Sequence, residues 1–456
     1  MVAVTLFVAA ICGILAFISS PGRALGILIV SMMIWPEYLR IPMGPAEMSA
    51  PRLVALLMLA RFIMLGRNRR MNFCSVDWLV LLLWIWTMFA SIVAGSESAQ
   101  ITRMIGQGFD TVLMYFVARL AILSRADLKA LAFPLFAIAV FMCVMGWSEA
   151  ITAYSPYQAL DKYKGWVWIP KDLEFRLGLM RAKASTSVHI FFGMAMAVIA
   201  GIAWSLRADP RLKKTATLGA FFAALGAFSS MSSGPWLAVA FLIVCNAYIL
   251  RPSLIKPTLY SMAVAAIFIE IASNRHFYNL IDYLALNSST AWYRTKLLEV
   301  AFSQWRDYWL VGVGSKSIQY WGSLLDGRNH VDLVNQFLVV AVNGGIPASL
   351  MYIFSHVNAV RFGINARKKS QDPIQRKLIF FLVSSLIALD ISSMSVGLFG
   401  PPLLLGNILL GVLTSAAVSW REATNRRPRK LENSPIASQT AVRINNSSNV
   451  GIGKNV

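Results

Sequence analysis

Arg176 and Arg181 stand five residues apart in the segment Phe175-Arg176-Leu177-Gly178-Leu179-Met180-Arg181-Ala182, which Lys183 follows. A guanidinium is a planar fork of donors, so such a pair suits an anionic head group held bidentately. The plainer reading is that both arginines solvate a loop or touch lipid phosphate. Just upstream, Asp172-Leu173-Glu174 offers two carboxylates to a divalent cation, a set too small for a metal to be expected. Arg294 belongs to a second charged stretch, Ala291 to Trp309, and His330 follows in Asn329-His330-Val331-Asp332. Taken alone, His330 reads as an interfacial histidine without a role. The chain has no phosphate-cradling glycine loop, no HExxH and no GxSxG string, so nucleotide-driven chemistry lacks its usual apparatus. Its four cysteines show no CxxC spacing and read as small apolar residues rather than a disulfide framework or metal knuckle.

The elements that position these residues are dictated by composition. Of 456 residues, 57% are hydrophobic and 14% charged, against about 25% charged in a soluble domain. A soluble enzyme and a disordered chain are both excluded on that ground. Apolar stretches near 2–19, 22–37, 53–66, 76–94, 109–123, 130–151, 189–206, 215–230, 235–250, 257–273, 333–355, 378–396 and 402–420 predict an all-α polytopic membrane protein with about 12–13 transmembrane helices. The stretches 215–230 and 235–250 read either as two spans or as one broken hairpin, split by Ser229 to Pro235. Residues 1–420 form one transmembrane domain on this reading.

Charge sets the orientation. Arg23, the connectors 67–70, 124–129, 207–214, 251–256 and 361–377, and the tail from Arg421 carry +1, +3, +1, +3, +2, +5 and +5, together +20 of the net +21. If the spans alternate, all of these lie on one side, which the positive-inside rule makes cytoplasmic. The basic surplus is therefore a topology signal, and no nucleic-acid partner is expected. The tail 421–456 is basic, Asn/Ser-rich and expected to be disordered against anionic lipid. The opposite side carries two long loops, about 152–188 and 274–332. In the second, Leu298, Phe302, Trp305 and Trp309 form one helical stripe, with Arg294, Glu299 and Arg306 off it, as in an amphipathic helix lying in the membrane interface. Arg61, Asp77 and Arg119 fall inside spans but near their cytoplasmic ends, where they are expected to snorkel. Asp390 is the deepest charge and has no partner evident from the sequence.

At the two loops the chain resembles the bacterial O-antigen ligase and polysaccharide polymerase family. The likeness is carried by Arg176 to Ala182 ahead of small residues and a span, and by Arg294 through Leu310-Val311-Gly312-Val313-Gly314 to His330, Asn335 and Gly344-Gly345-Ile346-Pro347. It covers roughly 170–360, and the remainder by span order alone. Two features depart from it. The family often has Ser-Arg-Gly in the external turn between the paired middle spans, where this chain has Ser232-Ser233-Gly234-Pro235-Trp236. Asparagine commonly follows the histidine, where this chain has Val331-Asp332.

The resemblance implies an inverting glycosyltransferase of the bacterial inner membrane, needing no ATP, metal or other cofactor. It would move a glycan from undecaprenyl pyrophosphate to a glycan hydroxyl or a lipid-anchored acceptor at the outer, periplasmic face, as a polymerase or a ligase within a polysaccharide export assembly. Arg294, with Arg176 and Arg181, would neutralise the leaving pyrophosphate, and Arg181 would replace the missing turn arginine. His330 would be the general base. Trp166, Trp168, Trp292 and Trp321 would stack on sugars or serve as interface anchors. A transporter or flippase for lipid-linked oligosaccharides is the competing reading. It expects interrupted helices and polar residues at mid-membrane.

Overall fold

A computed structural model of the chain describes residues 1–43, 46–64, 71–95, 98–163, 174–254, 256–258, 260–261, 264, 288–314, 318–327 and 331–425. The protein is built of helices: α1 (Val2–Ile18), α2 (Pro21–Ile34), α3 (Ala50–Met64), α4 (Ser75–Val93), α5 (Ser98–Gly108) continuing through a π-helical turn (Phe109–Leu113) into α6 (Met114–Ala121), α7 (Arg125–Lys129) and α8 (Ala132–Thr152). There follow α9 (His189–Leu206), α10 (Lys213–Ser229), α11 (Ser233–Leu250), α12 (Ser288–Ser303), α13 (Trp321–Leu324), α14 (Gln336–Lys369), α15 (Pro373–Ser393) and α16 (Pro401–Asn425). Two small antiparallel hairpins interrupt them, β1 (Arg40–Met43) with β2 (Ala46–Ser49), and β3 (Phe175–Arg176) with β4 (Leu179–Met180).

Five helical segments are long and apolar enough to cross a membrane: Ser75–Val93, Arg125–Thr152, His189–Leu206, Gln336–Lys369 and Pro401–Trp420. Val2–Ile18, Pro21–Ile34 and Ser233–Ile249 are shorter apolar helices. Eleven of the thirteen expected apolar stretches coincide with helices, the exceptions being 257–273, largely outside the described residues, and 333–355. Outward faces are apolar: Phe7, Ile14, Ile63, Phe133, Val144 and Ile243 are all exposed. A water-facing surface does not carry such a belt, whereas lipid accepts it. The open question at 215–250 resolves into two helices, α10 and α11, with the Ser-rich run as their turn.

The centre of the bundle is α9 and α16, buried along most of their length. Small residues let neighbours close on α9. A Cβ on Gly193 would meet Pro235 of α11, and one on Gly201 would meet Ser385 of α15, so the backbones pack at distances that larger residues forbid. Connectors gather at two ends, in the pairing that alternating helices require. At one end Arg125 reaches Asp372 (2.6 Å) and Asp209 (3.2 Å), and Lys129 also reaches Asp209 (2.5 Å). At the other end the Ser187 N–H donates to Glu37 (2.9 Å), Arg176 donates to the Met231 carbonyl (2.8 Å), and the Asn335 amide donates to the Met394 carbonyl (2.8 Å).

Three expectations need correction. The stretch 333–355 is not one straight span. Gly345 has φ 79° and ψ 175°, a conformation open only to glycine, and the chain reverses there. The Ser349 hydroxyl donates to the Phe337 carbonyl at 3.2 Å, and the Phe337 and Tyr352 rings lie 5.6 Å apart. In a straight helix, residues twelve apart would be separated by about 18 Å. So 336–344 and 346–369 are two arms of a helical hairpin, and only the second, at about 1.5 Å per residue, is long enough to cross. Its apex is clamped from outside: the Ile346 N–H donates to the Trp309 carbonyl (2.8 Å), the Val313 N–H to the Val342 carbonyl (2.9 Å), and the Trp86 indole to the Gly344 carbonyl (2.7 Å).

Second, Arg119 and Asp77 do not snorkel. Both side chains are fully buried and paired, Nε to Oδ1 at 2.8 Å, because Asp77, Tyr115, Ser415 and the Asn72 carbonyl together satisfy the guanidinium and its counter-ion more cheaply than the long reach to water. Third, α12 ends at Ser303, so the stripe from Leu298 to Trp309 runs past its end. The helix buries Tyr293, Leu297, Val300 and Ala301 against a small separate core with Tyr308, Trp321, Leu325 and the first arm of α14, while Phe302, Trp305 and Trp309 remain exposed.

Candidate functional site

The β3–β4 hairpin turns at Leu177 and Gly178, with φ of 53° and 78°. Two successive positive φ values match the twist of a two-residue hairpin, and glycine takes the second without steric cost. This tight turn sets Arg176 and Arg181 at the two ends of the hairpin. Both reach the turn between α10 and α11: Arg176 Nη1 donates to the Met231 carbonyl at 2.8 Å, and Arg181 Nη2 to Ser232 Oγ at 3.1 Å. The Ala182 N–H adds a bond to the Ser229 carbonyl at 3.1 Å. Two arginines are therefore docked on the serine-rich turn that carries none of its own.

Arg294 comes from more than a hundred residues downstream, on the buried face of α12. It is 8% exposed, and among the described residues its Nε has no hydrogen-bond acceptor. Burial, and then the charge of Arg176, hold its pKa below the usual arginine value. Burial likewise holds Arg181 down to about 10, with Arg176 and Arg294 acting in the same direction and Glu174 against them. The three guanidiniums thus feel one another. Against them, among the described residues, stands one carboxylate, Glu174, whose Oε2 meets Arg181 Nη1 at 2.5 Å.

Glu174 Oε2 also lies 3.8 Å from Nδ1 of His189, the first residue of α9. That imidazole is buried within electrostatic reach of Arg176 and Arg181, and among the described residues its Nε2 has no partner. Taken alone in the sequence, His189 reads, like His330, as an interfacial histidine without a role. The only signal for it was its place a few residues after the arginine pair. Behind the hairpin, two carboxylates fix the segment that leads into α9: Glu149 accepts from the Ala184 N–H at 2.8 Å and Glu37 from the Ser187 N–H at 2.9 Å.

Arg176, Arg181 and Arg294 are brought together. Trp292, on the same helix as Arg294, is exposed. Trp321 is fully buried, its ring 6.0 Å from that of Tyr308 and 6.3 Å from that of Tyr320, so it serves the small core and presents no free face to a sugar. His330, Trp166, Trp168 and Asp172 lie outside the described residues. Among the described residues no three His, Cys, Asp or Glu side chains are grouped to hold a metal ion. Among the described residues the cluster gathers three cations, one carboxylate and a hydroxyl-lined turn, a chemistry suited to an anion, with the desolvation that strengthens charge–charge attraction.

Asp390 has a partner that the sequence did not reveal. Its Oδ1 lies 2.6 Å from Nδ1 of His356 on the second arm of α14. Compared with known proteins, the chain matches no protein-family profile and no curated sequence.

Proposed function

We propose that the protein is a membrane glycosyltransferase, moving a polyprenyl-pyrophosphate-linked glycan onto an acceptor hydroxyl at the outer face of a bacterial inner membrane. The observation that carries this is the buried Arg294, which has no carboxylate partner among the described residues and lies within electrostatic reach of Arg176 and Arg181. An unpaired buried charge costs about 3–5 kcal/mol, so such a residue is set up for an anionic ligand. A pyrophosphate meets that need, and arginine forks match its oxygens. The end of the molecule holding the cluster is the one with little net charge. The other end and the tail carry the basic surplus and are cytoplasmic on this reading.

In the reaction the acceptor oxygen attacks the anomeric carbon, the bond from that carbon to the pyrophosphate oxygen breaks, and the configuration inverts. Negative charge growing on the leaving oxygen is met by Arg294, Arg176 and Arg181. The hydroxyl proton passes to an imidazole. The family resemblance assigns this base to His330, and the geometry offers His189 as a second imidazole beside the arginines. Trp292 gives an exposed ring to a sugar. The donor's own pyrophosphate linkage supplies the driving force, so neither ATP nor a metal enters the scheme. The partners are the lipid-linked donor, a glycan or lipid-anchored acceptor, and the export assembly that takes the product.

A flippase would need a passage wide enough for a sugar head group. Among the described residues, the cavity between α4, α14 and α16 has a volume of about 50 Å³, which suits water rather than a hexose.

The test is complementation of a strain lacking this gene with Arg294→Ala, His330→Ala and His189→Ala, reading glycan chain length and lipid-linked precursor. Loss of product in Arg294→Ala and in one histidine variant, with normal membrane insertion, is expected. Single repeats accumulating identify a polymerase, and finished chains stranded on the lipid carrier identify a ligase. Wild-type product from all three variants overturns the assignment.

A further inference from the structure

A second polar centre lies inside the bundle, apart from the arginine cluster. The cavity of about 50 Å³ sits between α4, the α5–π-helical stretch, both arms of α14 and α16. Two backbone irregularities frame it: the reversal at Gly345 and the π-helical turn at Phe109–Leu113. Non-ideal backbone at membrane depth is tolerated where it lines a cavity, and π turns gather at functional sites.

The wall is largely apolar, with hydroxyl and amide groups set into it. Thr87 donates its hydroxyl proton to the Leu83 carbonyl (2.7 Å), Thr111 to Gln107 (2.8 Å) and Ser355 to Tyr352 (2.7 Å). The Asn407 amide N–H donates to the Leu403 carbonyl at 2.9 Å. Each hydroxyl has one proton, and each is spent on its own helix, which leaves oxygen lone pairs for the cavity. No lysine or arginine lines it. His356 does, and its Nδ1 is 2.6 Å from Asp390 Oδ1.

Charge around His356 is simple. From α15 it faces Asp390, and from its own helix Tyr352, whose ring centroid is 4.4 Å away. α4 and α16 present only neutral residues to the cavity, as does the α5–π-helical stretch. Of the charged groups elsewhere on those elements, Asp77 pairs with Arg119 and Asp110 with Arg52 at 2.6 Å, Arg103 of α5 is exposed, and Arg421 and Glu422 lie in the last turns of α16. Among the described residues, Asp390 therefore has no compensating positive charge unless His356 carries it. An ionisable pair at this depth is costly to keep without a use.

We propose that this cavity binds one small monovalent cation, either a proton on His356 or an alkali-metal ion against the wall's hydroxyl and amide oxygens, with Asp390 as its counter-charge. The site stands independently of the glycan-transfer reading.

The test uses the full-length protein in lipid nanodiscs, with thermal unfolding read by tryptophan fluorescence. One arm varies pH between about 5 and 8 at fixed salt, the range where an imidazole titrates. The other replaces choline chloride with sodium or potassium chloride at fixed pH and ionic strength. A ligand that binds only the folded state raises the midpoint as its concentration exceeds its Kd. A one-proton step, lost in His356→Gln and insensitive to sodium, identifies the proton. A saturating rise with sodium or potassium, weakened at least tenfold in apparent affinity by Asn407→Leu or Thr111→Val, identifies the metal ion. Those two wall variants leave the His356–Asp390 pair intact, so the test survives if His356→Gln fails to fold; the proton is then read from histidine nitrogen resonances of isotope-labelled wild type. A wild-type protein with neither response, or with responses unchanged by the variants, overturns the proposal.

Discussion

Replacing Arg119 by methionine and Asp77 by leucine together should destabilise the protein less than the two single replacements added. The two side chains expose no surface and form a bidentate pair, with Nε to Oδ1 at 2.8 Å and Nη2 to Oδ2 at 2.9 Å. At that separation, with an effective dielectric of about 20, their attraction is ~6 kcal/mol. Removing each ion from water costs several kcal/mol, so the intact pair contributes little net stability. A single substitution is different, because it strands one buried charge, and the expected cost is about 3–5 kcal/mol. Asp77→Leu carries an extra ~1 kcal/mol, since Asp77 also accepts from the Cys74 N–H at 2.7 Å at the start of α4. The double variant leaves no stranded charge and should cost less than the two single costs added, by about 2 kcal/mol or more. The assay is a double-mutant cycle by SDS-driven unfolding in mixed micelles, followed by tryptophan fluorescence. Additive costs, or a cost for Arg119→Met below about 1 kcal/mol, would refute the reasoning.

Gly345→Ala places a Cβ on the Leu310 carbonyl and 2.9 Å from the Val311 nitrogen, in a conformation alanine avoids. The expected loss is about 1–3 kcal/mol for the backbone and a similar amount for crowding, read as a lowered unfolding midpoint; an unchanged midpoint contradicts the hairpin. Asp209 is held down to about 2, since hydrogen bonds from Lys129, the Arg211 N–H and Arg125 outweigh the burial that would raise it. A depressed carboxylate stabilises above its unfolded pKa, so the stability gap between wild type and Asp209→Asn should narrow as pH falls from about 4 towards 2. A gap independent of pH over that range would show that the carboxylate charge contributes nothing.

The helices were legible in the sequence because each depends on its own apolar run, and the turn between α10 and α11 because serines, glycine and proline cannot extend such a run. The reversal at Gly345 was not. Residues 336–360 are apolar on both sides of it, and Gly-Gly-Ile-Pro reads equally as a mild kink. The direction is set by Trp309, Val313 and Trp86, which grip the apex from distant segments. Buried charges show the same limit. Arg119 and Asp77 were each visible, but their 42-residue separation hid the pairing, as did the 34 residues between His356 and Asp390. At the candidate site, residue type pointed to an anion and singled out Arg176, Arg181 and Arg294. What pattern could not supply was the docking of the first two on the Met231–Ser232 turn, or the presence of Glu174 and His189 beside them.

The central claim is that Arg294 binds the diphosphate of a lipid-linked donor alongside Arg176 and Arg181. Its most direct measurement is binding of undecaprenyl pyrophosphate to the purified protein in nanodiscs, wild type against Arg294→Ala. A charge-assisted hydrogen bond contributes about 1.5–3 kcal/mol, so the variant should bind roughly 10- to 150-fold more weakly while unfolding at or above the wild-type midpoint. Equal affinity in the two proteins, with both folded, would contradict the claim.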